Sequence, residues 1–254
     1  MFEKGSDVHN LGQTRSSQQA NHLLLTADTF VRTSLPGMKA CSAIVHISPA
    51  AGAGFTQYTA EFEAGGELGD TAAQRFVFVI EGGIKVEAGH KPTKLGARGY
   101  AYLPQGLPHR VTNTTTKETR VAVIEKPYQP LDSVTPPQFM VSSEDAVASH
   151  PLDDDPRLQV KCLLPDEMSF DFAVNTMVYH PGAALSMVEM HVMEHGLIML
   201  EGGGIYRLGD HWYPVAAGDF IWMGPWCPQW FGAIGKVPAK YLIYKDFHRH
   251  PLAG

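Results

Sequence analysis

Apolar residues along this chain come in short runs, each closed by glycine, proline or both. Clear cases are FVFVIEGG (76–83), YAYLP (100–104), RVAVIEK (120–126) and FAVNTMVYHPG (172–182), followed by LIMLEGG (197–203), DFIWM (219–223) and YLIYKDF (241–247). Runs of this length, rich in Val, Ile, Phe and Tyr and punctuated by turn residues, predict strands of a sandwich or barrel. No long stretch has helical periodicity. Ser142-Ser143-Glu144-Asp145-Ala146 carries the capping pattern that starts one short helix. Residues 1 to about 37 read as an irregular arm. The stretch 127–159, rich in proline and acid, reads as a linker.

The pattern repeats at a constant offset of 120 residues: Glu81-Gly82-Gly83 returns as Glu201-Gly202-Gly203, Gly89 as Gly209, and the strand starting at Val121 as the one starting at Tyr241. An offset held without gaps means one supersecondary unit built twice. The expected fold is all-β, with two tandem antiparallel barrels at 38–126 and 160–254 and the linker between them.

Composition narrows the function classes. The chain has 254 residues, a net charge of −6 and no basic run, which excludes nucleic acid as an expected partner. No stretch is apolar and long enough to span a bilayer, and the first 19 residues lack the apolar core of a signal peptide. Cys41, Cys162 and Cys227 are odd in number and widely spaced, so they read as reduced thiols. Together these features lead us to expect a cytoplasmic protein.

The candidate chemistry lies in VEMHVMEHGLIMLEGG, residues 188–203. Glu189, His191 and His195 share parity, so a strand running through this region aims all three at one interior, while Glu194 points the other way. An acid and two imidazoles on one face form a metal-ligand pattern. The plainer alternative is three buried, hydrogen-bonded residues retained for packing, and burying that much polarity is costly. Parity also groups Tyr241, Ile243 and Lys245. An inward Lys245 can hold a substrate carboxylate or move a proton, whereas at the strand end it can simply reach water. Tyr206 either packs or presents its hydroxyl. Trp222, Trp226 and Trp230 read as wall or interface residues, and His248-Arg249-His250 as a solvated tail.

Residues 104–113 contain P-x-G-x-x-H-x-x-x-N, which resembles the second signature of the cupin superfamily, in which that His (His109 here) faces a metal. Glu189-x-His191-x-x-x-His195, ending at Gly202, resembles the first signature. The resemblance implies jelly-roll barrels, hence a bicupin. The offset carries His109 onto Gln229, and carries the later set back onto Gly69, Thr71 and Arg75, a poor ligand set. The metal is therefore expected in the second barrel only, on Glu189, His191, His195 and Gln229, with His109 a structural or interface residue. Oxygen and nitrogen donors without sulfur suit Mn²⁺ or Fe²⁺ more than tetrahedral Zn²⁺.

A closer resemblance covers nearly the whole chain. The run from Phe170 to Gln229 and the form E-x-H-x-x-E-H-G at Glu189–Gly196 are similar to the (S)-ureidoglycine aminohydrolase family. This resemblance implies an Mn²⁺-dependent bicupin of allantoin breakdown that converts (S)-ureidoglycine and water to (S)-ureidoglycolate and ammonia. It implies the same four metal ligands, with Glu189, Gln229, Tyr206, Tyr241 and Lys245 touching substrate; from their chemistry we expect Glu189 and Lys245 to be the catalytic pair. A homo-oligomer is expected. The rival readings are an Fe²⁺ cupin dioxygenase acting on a small polar substrate and a non-enzymatic small-molecule-binding bicupin.

Overall fold

The computed structural model describes residues 14–89 and 91–249. Strands dominate, and the only helices among these residues are single 3₁₀ turns. In the second half, an eight-stranded sheet runs in the order Ser17–Gln18, His22–Leu25, Phe220–Met223, His195–Glu201, Ala239–Asp246, Phe172–Tyr179, Asp155–Cys162, His150–Leu152. It faces a three-stranded sheet made of His211–Ala216, Gly203–Leu208 and Gln229–Ala233. The first half is one ten-stranded antiparallel sheet, with Gln74–Glu81, Thr119–Lys126 and Thr56–Leu68 adjacent at its centre.

Side-chain alternation explains why the central strands are apolar at nearly every position. Val77 and Val79 point into the first barrel, while Phe76 and Phe78 point out of it. Leu197 and Met199 point into the second barrel, while Ile198, Leu242 and Tyr244 point out. The outward sets meet in one buried cluster shared by both halves, so the barrels stand back to back on a common apolar layer. The repeated glycines have a local reason. Gly82 and Gly202 sit at φ +86° and +63°, and a Cβ there would collide with Thr119 and Pro238 respectively.

Three local expectations meet a clear answer. The short helix is present as a 3₁₀ turn at Glu144–Ala146, with the Ser143 hydroxyl accepting from the Asp145 N–H at 3.2 Å. The arm is more ordered than its composition suggests. His22–Leu25 pairs with Phe220–Met223, because the run His-Leu-Leu-Leu supplies apolar groups to both faces of the second barrel's sheet. The expected solvated tail is not found for its first two residues: His248 pairs with Asp166 at 2.9 Å, and Arg249 donates to the Gln129 and Met168 carbonyls. A guanidinium with several donors reaching backbone carbonyls explains this docking, and His250 lies outside the described residues. The three cysteines are free, and among the described residues no helix is long and apolar enough to cross a membrane.

Candidate active site

A cavity of about 150 Å³ opens inside the second barrel, and its wall includes Glu189, His191, His195, Tyr206, Gln229, Tyr241 and Lys245. All seven residues singled out from the sequence therefore meet in one place. Met177, Leu185, Met193 and Ile243 supply apolar wall between them. Of these four, Ile243 shares the inward parity of Tyr241 and Lys245, and the other three were not singled out from the sequence.

The route to this convergence differs from the expected one. No strand runs through Glu189–His195; the strand begins at His195, and the preceding residues form a loop. The loop still keeps strand-like alternation, because it is stitched to Gln229–Ala233. Glu189 and Gln229 exchange backbone hydrogen bonds of 2.8 and 2.9 Å, and the Leu185 N–H donates to the Phe231 carbonyl at 3.0 Å. Met187, Val188 and Met190 are exposed on its outer side, so the usual pattern is inverted: apolar groups face out and polar groups face in. Only a polar interior makes that arrangement sensible. Trp226, at φ +63°, forms the turn whose N–H holds the His191 carbonyl at 2.8 Å.

Glu194 points away from the cavity, as parity requires, and its carboxylate is buried between the barrels. It accepts from the Gly54 N–H at 2.7 Å and from the Trp222 indole at 3.1 Å. Burial lifts its pKa above the usual carboxylate range. The first barrel thus grips the residue next to His195, a role that sequence reasoning did not anticipate.

Inside the cavity, the Nε2 atoms of His191 and His195 lie 3.3 Å apart, and the Gln229 side-chain nitrogen lies 3.0 Å from His191 Nε2. The Tyr206 hydroxyl donates to Gln229 Oε1 at 3.3 Å, and the Tyr241 hydroxyl bonds that of Tyr179 at 2.8 Å. His195 stands directly opposite Lys245 across the ladder, so both point inward. Burial, then the Lys245 and His191 charges, holds His195 well below the ordinary imidazole pKa, in the neutral form a metal requires. Burial also lowers the Lys245 pKa, against an opposing pull from Glu189. Tyr206 and Tyr241 are pushed up by burial and remain hydroxyl donors.

The donor set fits a divalent cation. Two Nε2 atoms that face each other at 3.3 Å hold at most one proton between them, and a cation accepts both lone pairs at once. A half-turn of the Gln229 amide would exchange its oxygen and nitrogen, offering the oxygen to the same point. Glu189 completes a nitrogen-and-oxygen set from the same wall. Among the described residues no three His, Cys, Asp or Glu side chains already gather into a metal-binding group, so Glu189 lines the cavity without closing on the imidazoles.

The Cupin domain family model matches residues 60–125 and 175–244, once in each barrel. (S)-ureidoglycine aminohydrolase of Arabidopsis thaliana is 38% identical over 246 residues, covering 95% of this chain and 80% of that protein. The Escherichia coli (strain K12) protein of the same name is 30% identical and covers 91% of this chain and 90% of its own. The chain is a bicupin of the (S)-ureidoglycine aminohydrolase family. A Pseudomonas aeruginosa crystal structure described as a putative glyoxylate induced protein has the same fold, with a TM-score of 0.85 at 31% identity over 93% of this chain and 92% of that one.

In this bicupin the first barrel has a different interior. Arg75, 120 residues before His195, is buried and donates to the Glu125 carboxylate at 2.8 Å and to the Gly69 carbonyl at 2.6 Å; its guanidinium also lies 2.7 Å from His109 Nε2. His109 Nδ1 in turn lies 2.7 Å from the Leu107 carbonyl. The structure thus gives His109 two partners supplied by the chain itself. Of the three tryptophans, Trp222 is buried in the shared layer, Trp226 is exposed, and Trp230 packs against the second barrel's core.

Proposed function

We propose that this chain hydrolyses (S)-ureidoglycine to (S)-ureidoglycolate and ammonia, a step of allantoin breakdown. The observation that carries the reading is the meeting of Glu189, His191, His195, Tyr206, Gln229, Tyr241 and Lys245 on one small cavity in a member of this family. A cavity of about 150 Å³ admits only a small molecule.

We assign Glu189, His191, His195 and Gln229 to hold a divalent cation, for which we propose Mn²⁺. When bound, that ion supplies Lewis-acid polarisation and a template for substrate. The rest of the chemistry belongs to the chain. The reacting carbon of ureidoglycine carries an amine, a ureido nitrogen and a carboxylate. The Lys245 ammonium meets the carboxylate as a point charge. The Tyr241 hydroxyl, held by Tyr179, orients the same end of the substrate. Tyr206 keeps the Gln229 side chain aimed inward. The Glu189 carboxylate takes a proton from water and returns one to the departing amine. The carbon–nitrogen bond breaks, a carbon–oxygen bond forms, and ammonia leaves. Apolar walls from Met177, Leu185 and Ile243 limit competing water.

Ammonia release from freshly generated ureidoglycine, with and without added Mn²⁺, tests the proposal. A positioned proton shuttle is worth about 10²–10⁴-fold, so Glu189→Gln should lose that much turnover while keeping part of the metal. Full turnover by this variant would remove the proton role. Oxygen uptake in place of ammonia release would point to a dioxygenase.

A further inference from the structure

A second cavity, of about 210 Å³, lies at the seam of the two barrels, and its wall includes Phe30, His46, Thr59, Arg120, Leu200 and Gly218. It is separate from the candidate active site and shares no lining residue with it. His46 is only 4% exposed; its ring stacks on Phe220 with centroids 4.8 Å apart. His46 Nε2 bonds the Thr59 hydroxyl at 2.8 Å, while Nδ1 has no partner. Arg120 Nε is also buried without a partner, and among the described residues Arg120 forms no ion pair. Buried polar atoms left unpaired in this way are costly and call for an explanation.

The internal repeat supplies one. Arg120 corresponds to Lys240, 120 residues later, and each stands two residues before a member of the shared layer, Ala122 and Leu242. Thr59 stands opposite Ala122 in its ladder, and Thr176 stands opposite Leu242, again 120 residues later, so the two threonines are equivalent. At the Lys240 end of the seam, the space is filled by Glu144 from the segment between the barrels. Its carboxylate accepts from Lys240 Nζ at 2.7 Å and from the Thr176 hydroxyl at 2.8 Å, and its N–H donates to the Arg98 carbonyl at 2.9 Å. The counterparts of all three partners are Arg120, Thr59 and Gly218, and all three line the cavity. Among the described residues no acid lies within ion-pair distance of Arg120: of the two glutamates opposite it in its ladders, Glu61 is bonded to Arg32 and Glu81 is exposed.

We propose that this cavity is a binding site for a small carboxylate, which meets Arg120, Thr59 and His46 as the Glu144 side chain meets Lys240 and Thr176. The remaining wall, including Phe30, Ile80, Ile198 and Leu200, is apolar, so the preferred ligand is a short-chain monocarboxylate with a hydrocarbon tail. At about 210 Å³ this cavity is larger than the active-site cavity of about 150 Å³, so a molecule of butyrate's size fits.

Calorimetric titration of the metal-loaded protein with butyrate, and separately with the neutral isostere butyramide, tests this. Butyrate should bind and butyramide should not. Arg120→Gln should weaken butyrate at least tenfold and leave ureidoglycine turnover within twofold of wild type. Arg120→Lys keeps the charge but loses the Nε donor, and should fall between the two. Lys245→Met should still bind butyrate, which separates this cavity from the candidate active site. The proposal is overturned if butyrate and butyramide bind alike, if butyrate does not bind at millimolar concentration, or if binding survives Arg120→Gln and vanishes in Lys245→Met.

Discussion

In the first barrel Arg75 faces Glu125 across the ladder; in the second, His195 faces Lys245 at the same two positions, 120 residues on. The correspondence extends to the next strand, where Arg75 stands opposite Leu103 and His195 opposite Met223. One corner of one fold is thus built twice, with the cationic side chain on opposite strands. In the first barrel the chain provides its own cation, a guanidinium bonded to Glu125, Gly69 and His109, with the Tyr58 hydroxyl donating to the same Glu125 carboxylate at 2.8 Å. In the second barrel the cationic side chain has moved to the facing strand, and the central position is left to imidazoles, an amide and a nearby carboxylate. A barrel whose polar centre is satisfied internally is suited to stability. One whose donors converge on a cavity is suited to chemistry.

The largest effect that would break this comparison is on stability. Arg75→Met leaves Glu125 and His109 without their shared partner, and breaking a buried pair costs about 3–5 kcal/mol. Denaturant unfolding should show that loss, while ammonia release per folded chain should stay within about twofold of wild type. A variant equally stable but inactive would mean that the first barrel takes part in the chemistry.

Lys245→Met addresses the other side. Removing a buried charge from its partner costs about 2–5 kcal/mol, which should appear mainly as a raised KM, with metal content intact. Because burial lowers the Lys245 pKa, its ammonium is lost at a lower pH than that of an ordinary lysine, and kcat/KM should fall on the alkaline side below pH of about 10.4. Lys245→Arg, which keeps its charge over that range, should flatten this limb. An unchanged alkaline limb in Lys245→Arg would assign it to another group.

A smaller effect tests the grip of one barrel on the other. Glu194→Gln keeps the shape but weakens the hold on the Gly54 N–H, one residue before His195 on the chain. Supporting contacts of this kind are worth about 10–100-fold in metal affinity. Competition with a chelator should show a drop in that range, with global stability nearly unchanged. Equal affinity in wild type and variant would reduce the contact to packing.

Much of this was legible in the sequence because the repeat and the strand period are both strict. The 120-residue offset marked two barrels before any contact was known, and parity marked Glu194 as facing the other way. Other features were hidden because they depend on distant pairing. The run His22–Leu25 reads as part of an arm until Phe220–Met223 is available to pair with it. The Glu189–His195 loop imitates a strand only because Gln229 holds it. Arg75 was set aside as a poor ligand. Its inward parity within QRFVFVIE, together with Glu125 at the position of Lys245, was the available sign that an internal ion pair fills the first barrel.

The central claim is that the second barrel alone holds a catalytic cation. Metal-free protein titrated with Mn²⁺, with bound metal and ammonia release measured at each step, tests it directly. The account predicts that activity rises in proportion to bound metal and saturates at one ion per chain, and that His195→Ala neither binds nor turns over. Two ions per chain, or ammonia release that ignores the metal, would contradict it.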